Sequence, residues 1–452
     1  MAHVLDTVLE PVLAARATAD GLRILDPACG DGRFLLAAAE RVRRRFGAIP
    51  DGTLVGIDVD EAAVAGAAAA LGSSGDLRCG DALDATFCGP PFDAVVGNPP
   101  YLNQLAAATS RRGRSSWGGG AYADTAALFL ALSLRLARPD GGRVGLVLPQ
   151  SVLATRDTAA IRAASLAAAR LDALWWAGEA MFDAEVVTCV AAFVRGECQG
   201  PVRRAHGATF APLPDAAGGD LASRPTWSHL VADAVGIPPV LLRPSPTLAT
   251  MATATADFRD QYYGLVGHVS DDGDGTPLVT SGLIDAGQCA WGQRPARFAR
   301  RTFAAPRVDV DALAPILQVW AASRLVPKVL VATQTRVIEA VADPAGEWLP
   351  SVPVITVTPR APADLWRVAA VLSAPPVSAW AATTYLGAAL SVRAIKLSAS
   401  QVLTVPLPGR PWDDAATALA EGDIESCARR MDVAFGTDLF DWWQERRVSL
   451  RS

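Results

Sequence analysis

From Leu22 to about Arg195, short apolar runs rich in Val, Ile and Leu alternate with longer Ala- and Leu-rich stretches. A short continuous apolar run suits a strand covered on both faces, and a longer run with helical spacing suits the crossover between two such strands. The pattern predicts strands at Leu22–Asp26, Thr53–Asp58, Leu77–Cys79, Phe92–Gly97, Arg143–Leu148, Leu171–Trp176 and Val186–Val194. Helices are expected at Leu5–Arg16, Arg33–Phe46, Asp60–Leu71, Asp124–Ala137 and Arg156–Ala169, the fourth opening on an Asp cap and stopping before Pro139-Asp140-Gly141-Gly142. A strand-helix alternation of this kind implies an α/β fold around a parallel sheet.

The pattern breaks after Arg195. Gly, Pro and polar residues dominate up to about Pro246, and short β-like runs (Val308–Val310, Lys328–Val331, Val354–Val357) then recur as far as Pro408. The expected division is a first domain over 1–200, a connecting region over 201–255, a mixed α/β domain over 256–410 and an amphipathic helical tail over 411–452.

Apolar stretches are all interrupted by charge, Gly or Pro before the ~18 residues a membrane span needs, and the N-terminus lacks a basic-then-apolar signal pattern. The expected location is therefore the cytoplasm, with no membrane association. Seven Cys are scattered with no Cys-x-x-Cys spacing, so neither a disulfide framework nor a metal site is expected. The net charge of −5 does not announce a nucleic-acid binder. Locally it reverses: Trp291 to Ala340 holds Arg294, Arg297, Arg300, Arg301, Arg307, Arg324, Lys328 and Arg336 against Asp309, Asp311 and Glu339. That excess predicts a phosphate-facing surface.

Candidate chemistry gathers at predicted strand ends. Asp26-Pro27-Ala28-Cys29-Gly30-Asp31-Gly32 lies between the first strand and a helix, where Gly30 and Gly32 let backbone approach a ligand closely. Val55-Gly56-Ile57-Asp58-Val59 puts a carboxylate where it can accept both hydroxyls of a ribose, and Gly80-Asp81-Ala82 puts another where it can accept from an adenine amino group. Three acidic strand ends describe a nucleoside pocket. Gly32 is followed by Arg33, Phe34 and Leu35 rather than by a tight glycine turn, so there is no pyrophosphate cradle, which favours S-adenosylmethionine (SAM) over a dinucleotide.

At the end of the fourth strand stands Asn98-Pro99-Pro100-Tyr101. An exocyclic aromatic amine is a poor nucleophile because its lone pair is delocalised into the ring. Two acceptors aimed at its hydrogens, the Asn98 side-chain oxygen and the Pro99 carbonyl, would favour a pyramidal nitrogen whose lone pair faces a methyl sulfonium. The prolines, Pro100 included, stiffen the segment, and Tyr101 offers a ring for a base to stack on.

In this order, over roughly residues 4 to 408, the motifs resemble the γ-class, TaqI-type adenine-N6 DNA methyltransferases of restriction-modification systems. The resemblance implies a seven-stranded Rossmann-like catalytic domain followed by a target-recognition domain, in a monomer that flips an adenine out of duplex DNA and methylates N6. It implies SAM contacts at Asp26, Ala28, Gly30, Gly32, Asp58, Val59, Asp81 and Ala82, and a catalytic segment of Asn98, Pro99, Pro100 and Tyr101. Phe182 matches the family's second aromatic against the base. Arg111, Arg112 and Arg114, on a Gly-rich loop, and Arg294 and Arg297 are expected to meet DNA. Weaker likenesses to a recognition region occur at Tyr262–Val266, Pro277–Gly282, Ile395–Ser398 and Val405–Pro408. The family's cap before the N-terminal helix is missing from Met1-Ala2-His3, which leaves open a start upstream. A separate restriction endonuclease or defence-system subunits are left open as partners. Two other readings also stay open: methylation of RNA or of a protein glutamine amide, and a catalytically inactive recognition subunit.

Overall fold

The computed structural model describes residues 1–85, 87, 89–101, 117–120, 123–180, 186–197, 199–216, 218–242, 246–257, 259–387 and 394–448. Two compact units divide the chain, Met1–Ala234 and Val235–Ser452.

The first unit is built on one sheet. In chain order its strands are β1 (Ile24–Asp26), β2 (Leu54–Asp58), β3 (Gly75–Cys79), β4 (Ala94–Gly97), β5 (Arg143–Pro149), β6 (Ala169–Ala180), β7 (Val187–Arg195), β8 (Val202–His206) and β9 (Ala211–Ala216). Their spatial order is β3-β2-β1-β4-β5-β7-β6-β8-β9. β1 to β5 run parallel, β7 is antiparallel to both β5 and β6, and β8 and β9 continue the sheet beyond β6. All seven predicted strands are present. β1 pairs with β2 on one side and β4 on the other, so the order reverses there, and the carboxyl ends of an open parallel sheet form a ligand crevice at such a point.

The helices are α1 (Ala2–Ala14), α2 (Arg33–Phe46), α3 (Glu61–Leu71), α4 (Thr125–Leu136), α5 (Ala159–Ala168) and the single turn α6 (His229–Ala232). Phe34, Leu35, Ala38, Ala39 and Val42 recur at helical spacing along α2 and are buried, while Arg43, Arg44 and Arg45 oppose the partial negative charge of its last turn. Asp60 and Asp124 cap α3 and α4 by accepting from main-chain N–H groups at 2.9 to 3.1 Å. Two predicted limits shift. α1 begins three residues earlier than expected and stops before Arg16, whose guanidinium turns instead to Asp93 at 3.1 Å. Residues 156–158 form a 3-10 turn ahead of α5. β4 starts at Ala94 because Asp93 accepts from the Arg23 main-chain N–H and from Arg16 and Arg138, which anchors the strand's entrance.

Residues 201–255, expected to connect two domains, are divided between the units. β8 and β9 join the first sheet, and Ala252–Ala256 is β10, paired with a strand one hundred residues later. The second unit continues with β11 (Val269–Ser270), β12 (Thr276–Val279), β13 (Ile284–Asp285), β14 (Gln288–Cys289), β15 (Ala296–Phe298), β16 (Arg301–Phe303), β17 (Arg307–Val308), β18 (Lys328–Val331), β19 (Ala340–Asp343), β20 (Leu349–Pro350) and β21 (Ile355–Pro359). Its helices are α7 (Arg259–Gly264), α8 (Pro315–Arg324), α9 (Leu365–Leu372), α10 (Pro375–Tyr385), α11 (Ala399–Val402), α12 (Asp413–Ala420), α13 (Ile424–Phe435) and α14 (Phe440–Val448). Two four-stranded sheets, β10-β21-β18-β19 and β11-β17-β12-β20, carry separate apolar clusters. The expected tail is helical but not peripheral: Ala428, Phe440 and Trp443 pack with Ala286 and Val337 in a third cluster. No described helix is long and apolar enough to cross a membrane.

Candidate active site

Asp26 ends β1 with 1% of its surface exposed. Its Oδ1 accepts from the Ala28 N–H at 3.1 Å, and no cationic side chain lies within ion-pair distance among the described residues. Burial, with the nearby Asp58 charge adding to it, pushes its carboxyl up to about 7 against the pull of the Ala28 hydrogen bond. A buried carboxyl of this kind favours a cation arriving from outside the protein.

The carboxyl group lies over Gly97 at the end of the neighbouring strand β4. A Cβ on Gly97 would stand 2.6 Å from Asp26 Oδ1, so glycine is required there for the two strand ends to meet. This residue, next to Asn98, was not singled out in the sequence, and only strand order reveals its part. The turn that follows β1 is closed by backbone bonds from Cys29 N to Ile57 O at 3.0 Å and from Gly32 N to Cys29 O at 2.8 Å. Gly32 sits at φ +79° at the start of α2, a conformation other residues adopt only at a steric cost.

Asp58, at the end of β2, accepts from Gly30 N at 2.7 Å through one oxygen and from Asp60 N at 3.0 Å through the other. It thereby ties the β1 turn to the β2 turn while each oxygen keeps a lone pair. Val59 beside it is 70% exposed, an apolar side chain left open where the two turns meet. Asp81, after β3, accepts from Leu83 N at 2.9 Å, and Ala82 is buried. Asp26, Ala28, Gly30, Gly32, Asp58, Val59, Asp81 and Ala82 therefore all fall at or just beyond the carboxyl ends of three adjacent parallel strands.

Asn98 leaves β4 exposed to solvent, with Pro99 buried behind it and Pro100 exposed. Tyr101 is half-buried against the apolar core, and its hydroxyl donates to the Asn98 side-chain oxygen. Burial, reinforced by the neighbouring Cys189 and Asp124, raises the Tyr101 phenol above its ordinary range, so it is a donor at any working pH. β1 and β4 are paired, and this places Gly97, the residue before Asn98, against the Asp26 carboxyl.

Phe182, Arg111, Arg112 and Arg114 lie outside the described residues. Arg294, in the second unit, is tied to Asp285 at 3.2 Å, whereas Arg297 is exposed on β15. Several residues of the weaker recognition-region motifs serve the packing of the second unit, while Tyr263 and Val266 are exposed. Leu265, Leu278 and Val405 are fully buried, the Tyr262 hydroxyl accepts from Ala299 N, and Ser398 caps α11 in a reciprocal pair with Gln401.

Residues 3–205 match the family model N-6 DNA Methylase. Nocamycin O-methyltransferase of Saccharothrix syringae is 35% identical over 133 residues, which cover 28% of this chain and 38% of that protein. The type I restriction enzyme MjaIX methylase subunit of Methanocaldococcus jannaschii is 38% identical over 85 residues, covering 18% of this chain and 15% of the relative. The chain thus spans well under half the length of either curated relative. Among solved structures, that of the type IIL restriction-modification enzyme MmeI in complex with DNA superposes with a TM-score of 0.59 at 13% identity, over 99% of this chain and 76% of that one. This likeness shows a shared fold along nearly the whole chain.

Proposed function

We propose that this chain, with residues 3–205 in the N-6 DNA methylase family, is a site-specific DNA methyltransferase acting on N6 of an adenine flipped out of duplex DNA. It would serve restriction-modification or a related phage defence. The observation that carries the reading is that the strand end leading into Asn98-Pro99-Pro100-Tyr101 meets, at Gly97, the buried carboxyl of Asp26, which has no cationic partner among the described residues.

The residues fit SAM, whose ammonium and sulfonium groups are both cationic. When bound, it supplies an electrophilic methyl group. Asp26 and the turn through Ala28, Gly30 and Gly32 would hold its amino-acid end. The free lone pairs of Asp58 would accept from the ribose hydroxyls, exposed Val59 would cover a face of the adenine, and Asp81 and Ala82 would meet its edge.

Asn98 Oδ1 and the Pro99 carbonyl would accept from the two hydrogens of the target amine and turn its lone pair towards the methyl group. Tyr101 would stack on the flipped base, with Phe182 on its other side. As the new N–C bond forms, the bond between that methyl and the sulfonium sulfur would break, leaving S-adenosylhomocysteine, and the amine would shed one proton to solvent. Arg111, Arg112, Arg114 and Arg297 would contact DNA, and the second unit would read the sequence around the target, since an enzyme acting inside a duplex needs a surface beyond the pocket.

Tritium-labelled SAM offered in parallel with duplex DNA, tRNA, rRNA and release factor tests the substrate. Label in duplex adenine is the expected result; label only in RNA or protein overturns the reading. Asn98→Ala is expected to abolish transfer while SAM binding, measured by calorimetry, persists. Full activity in that variant removes the assigned role.

A further inference from the structure

The eight basic side chains between Trp291 and Ala340 do not form one surface. Arg294 is paired with Asp285, and Arg324 is held by Asp257 at 2.6 Å. Lys328 is fully buried against Asp343 at 2.5 Å. Arg307 donates to the Gly275 carbonyl at 2.8 Å and lies over the Trp291 ring at 4.5 Å. Arg336 lines a cavity that also contains Glu339. Arg297, Arg300 and Arg301 remain: all three are exposed, and none has a carboxylate within ion-pair distance among the described residues.

These three belong to one hairpin, β15–β16, with Ala296 opposite Phe303, Arg297 opposite Thr302 and Phe298 opposite Arg301. One side of the ribbon is an anchor, since Ala296, Phe298 and Phe303 are each at most 5% exposed. The turn consists of Ala299 at φ +47° and Arg300 at φ +65°, both left-handed and neither a glycine. A two-residue turn of this geometry favours Gly or Asn, and side chains held there against their preference need support from around them. Support is present: Ala299 N donates to the Tyr262 hydroxyl at 3.1 Å, and the Tyr262 ring lies 4.8 Å from that of Phe298. At the exit, Asp271 spends its two oxygens on Ala304 N and Ala305 N at 3.0 and 2.8 Å. Arg301 lies over the Phe303 ring at 5.2 Å, a contact that leaves its N–H groups free to donate.

We infer that the β15–β16 hairpin is a braced arginine ribbon that grips the phosphate backbone of duplex DNA. The inference rests on the DNA-methyltransferase reading above. Charge complementarity selects the occupant: three guanidiniums with no carboxylate partner among the described residues, in a chain of net charge −5, form a local site for a polyanion. A braced ribbon holds them without the entropy that a mobile basic loop would lose on binding. The contacts assigned to the three guanidiniums are with phosphate oxygens, which add affinity and register but carry no sequence information.

The full-length chain with a fluorescein-labelled duplex, titrated by anisotropy across a series of KCl concentrations, tests this. Each phosphate contact contributes about 0.9 to the slope of log affinity against log salt. Combined replacement Arg297→Ala, Arg300→Ala and Arg301→Ala is expected to reduce the slope by about 2 to 3, equally for duplexes of unrelated sequence. The corresponding triple Arg→Lys variant is expected to keep most of it, and Arg300→Ala alone, at the exposed tip, to lose about 1. Thermal unfolding of each variant checks the fold. An unchanged slope in both Ala variants, a loss that depends on duplex sequence, or no duplex binding by the unaltered chain overturns the assignment. The tritium assay on the unaltered chain reports separately on whether the methyltransferase reading itself fails.

Discussion

The Tyr101 hydroxyl donates to the same Asn98 oxygen that is proposed to accept from the target amine. The bond holds the Asn98 side chain in place before a base arrives, and an incoming amine must share or displace it. A neutral hydrogen bond is worth about 1 kcal/mol net, whereas base-on-aromatic stacking is worth about 1 to 3 kcal/mol. Tyr101→Phe is therefore expected to keep transfer within about tenfold, while Tyr101→Ala weakens DNA substrate use further and leaves SAM affinity unchanged. Steady-state kinetics with separate SAM calorimetry distinguishes the two. Equal damage in Phe and Ala would show that the hydroxyl, not the ring, is what matters.

Asp26 has a consequence in pH. Its carboxyl is raised to about 7 by burial, so the folded chain binds a proton that the unfolded chain releases near its ordinary value of 3.8. Stability from this group therefore falls as pH rises from about 4 to about 7, then levels off. Binding of a cationic cofactor favours the ionised form, so SAM affinity is expected to rise with pH up to about 7 and flatten above it. Calorimetry across this range should show it, together with loss of the pH dependence in Asp26→Asn. A flat profile in the unaltered protein would mean that Asp26 does not face the cofactor's charge.

Gly97→Ala should break the same site from the other strand. The added methyl would lie 2.6 Å from Asp26 Oδ1, so either the carboxyl or the strand end must move. Overpacking of this kind costs about 1 to 3 kcal/mol, and more than a tenfold loss of SAM affinity is expected with it. Combined with Asp26→Ala, the substitution should cost less stability than the sum of the two single changes. Strict additivity in thermal and denaturant unfolding would show that the two groups do not collide.

In the second unit, Lys328 and Asp343 form a buried pair, and Asp343 also accepts from Gly346, Glu347 and Trp348 N–H groups at 3.0 to 3.1 Å. Lys328→Met leaves that carboxylate buried without its cation, which is expected to cost about 3 to 5 kcal/mol of stability. Denaturant unfolding measures it. A loss below 1 kcal/mol would mean that the three backbone donors suffice.

The first seven strands and first five helices of the first unit were legible because their signals are local. Runs rich in Val, Ile and Leu marked β2, β4, β5 and β7, and Asp60 and Asp124 stood where helix caps belong. The candidate cofactor and catalytic residues were legible for the same reason, since a parallel strand followed by a turn places its last residue at the carboxyl edge whatever lies around it. The region after Arg195 was harder to read. β8 and β9 contain Arg203, Arg204, Pro212 and Pro214, a composition that suggests a linker, yet β8 finds a partner in β6 and becomes sheet. α12 to α14 carry enough polar residues to look peripheral, yet Trp443 is fully buried.

The sequence by itself determined the strand-helix alternation, the acidic strand ends and the placing of Asn98-Pro99-Pro100-Tyr101 after the fourth strand, because hydrophobic period and turn chemistry act within a few residues. Only the tertiary structure decided that Asp26 lies over Gly97 with no cation beside it among the described residues, that residues 201–255 divide between two units, and that three of eight clustered basic residues have no carboxylate partner among the described residues. Each of these depends on which distant strand or carboxylate a residue meets, and that is set by the packing of segments tens of residues apart.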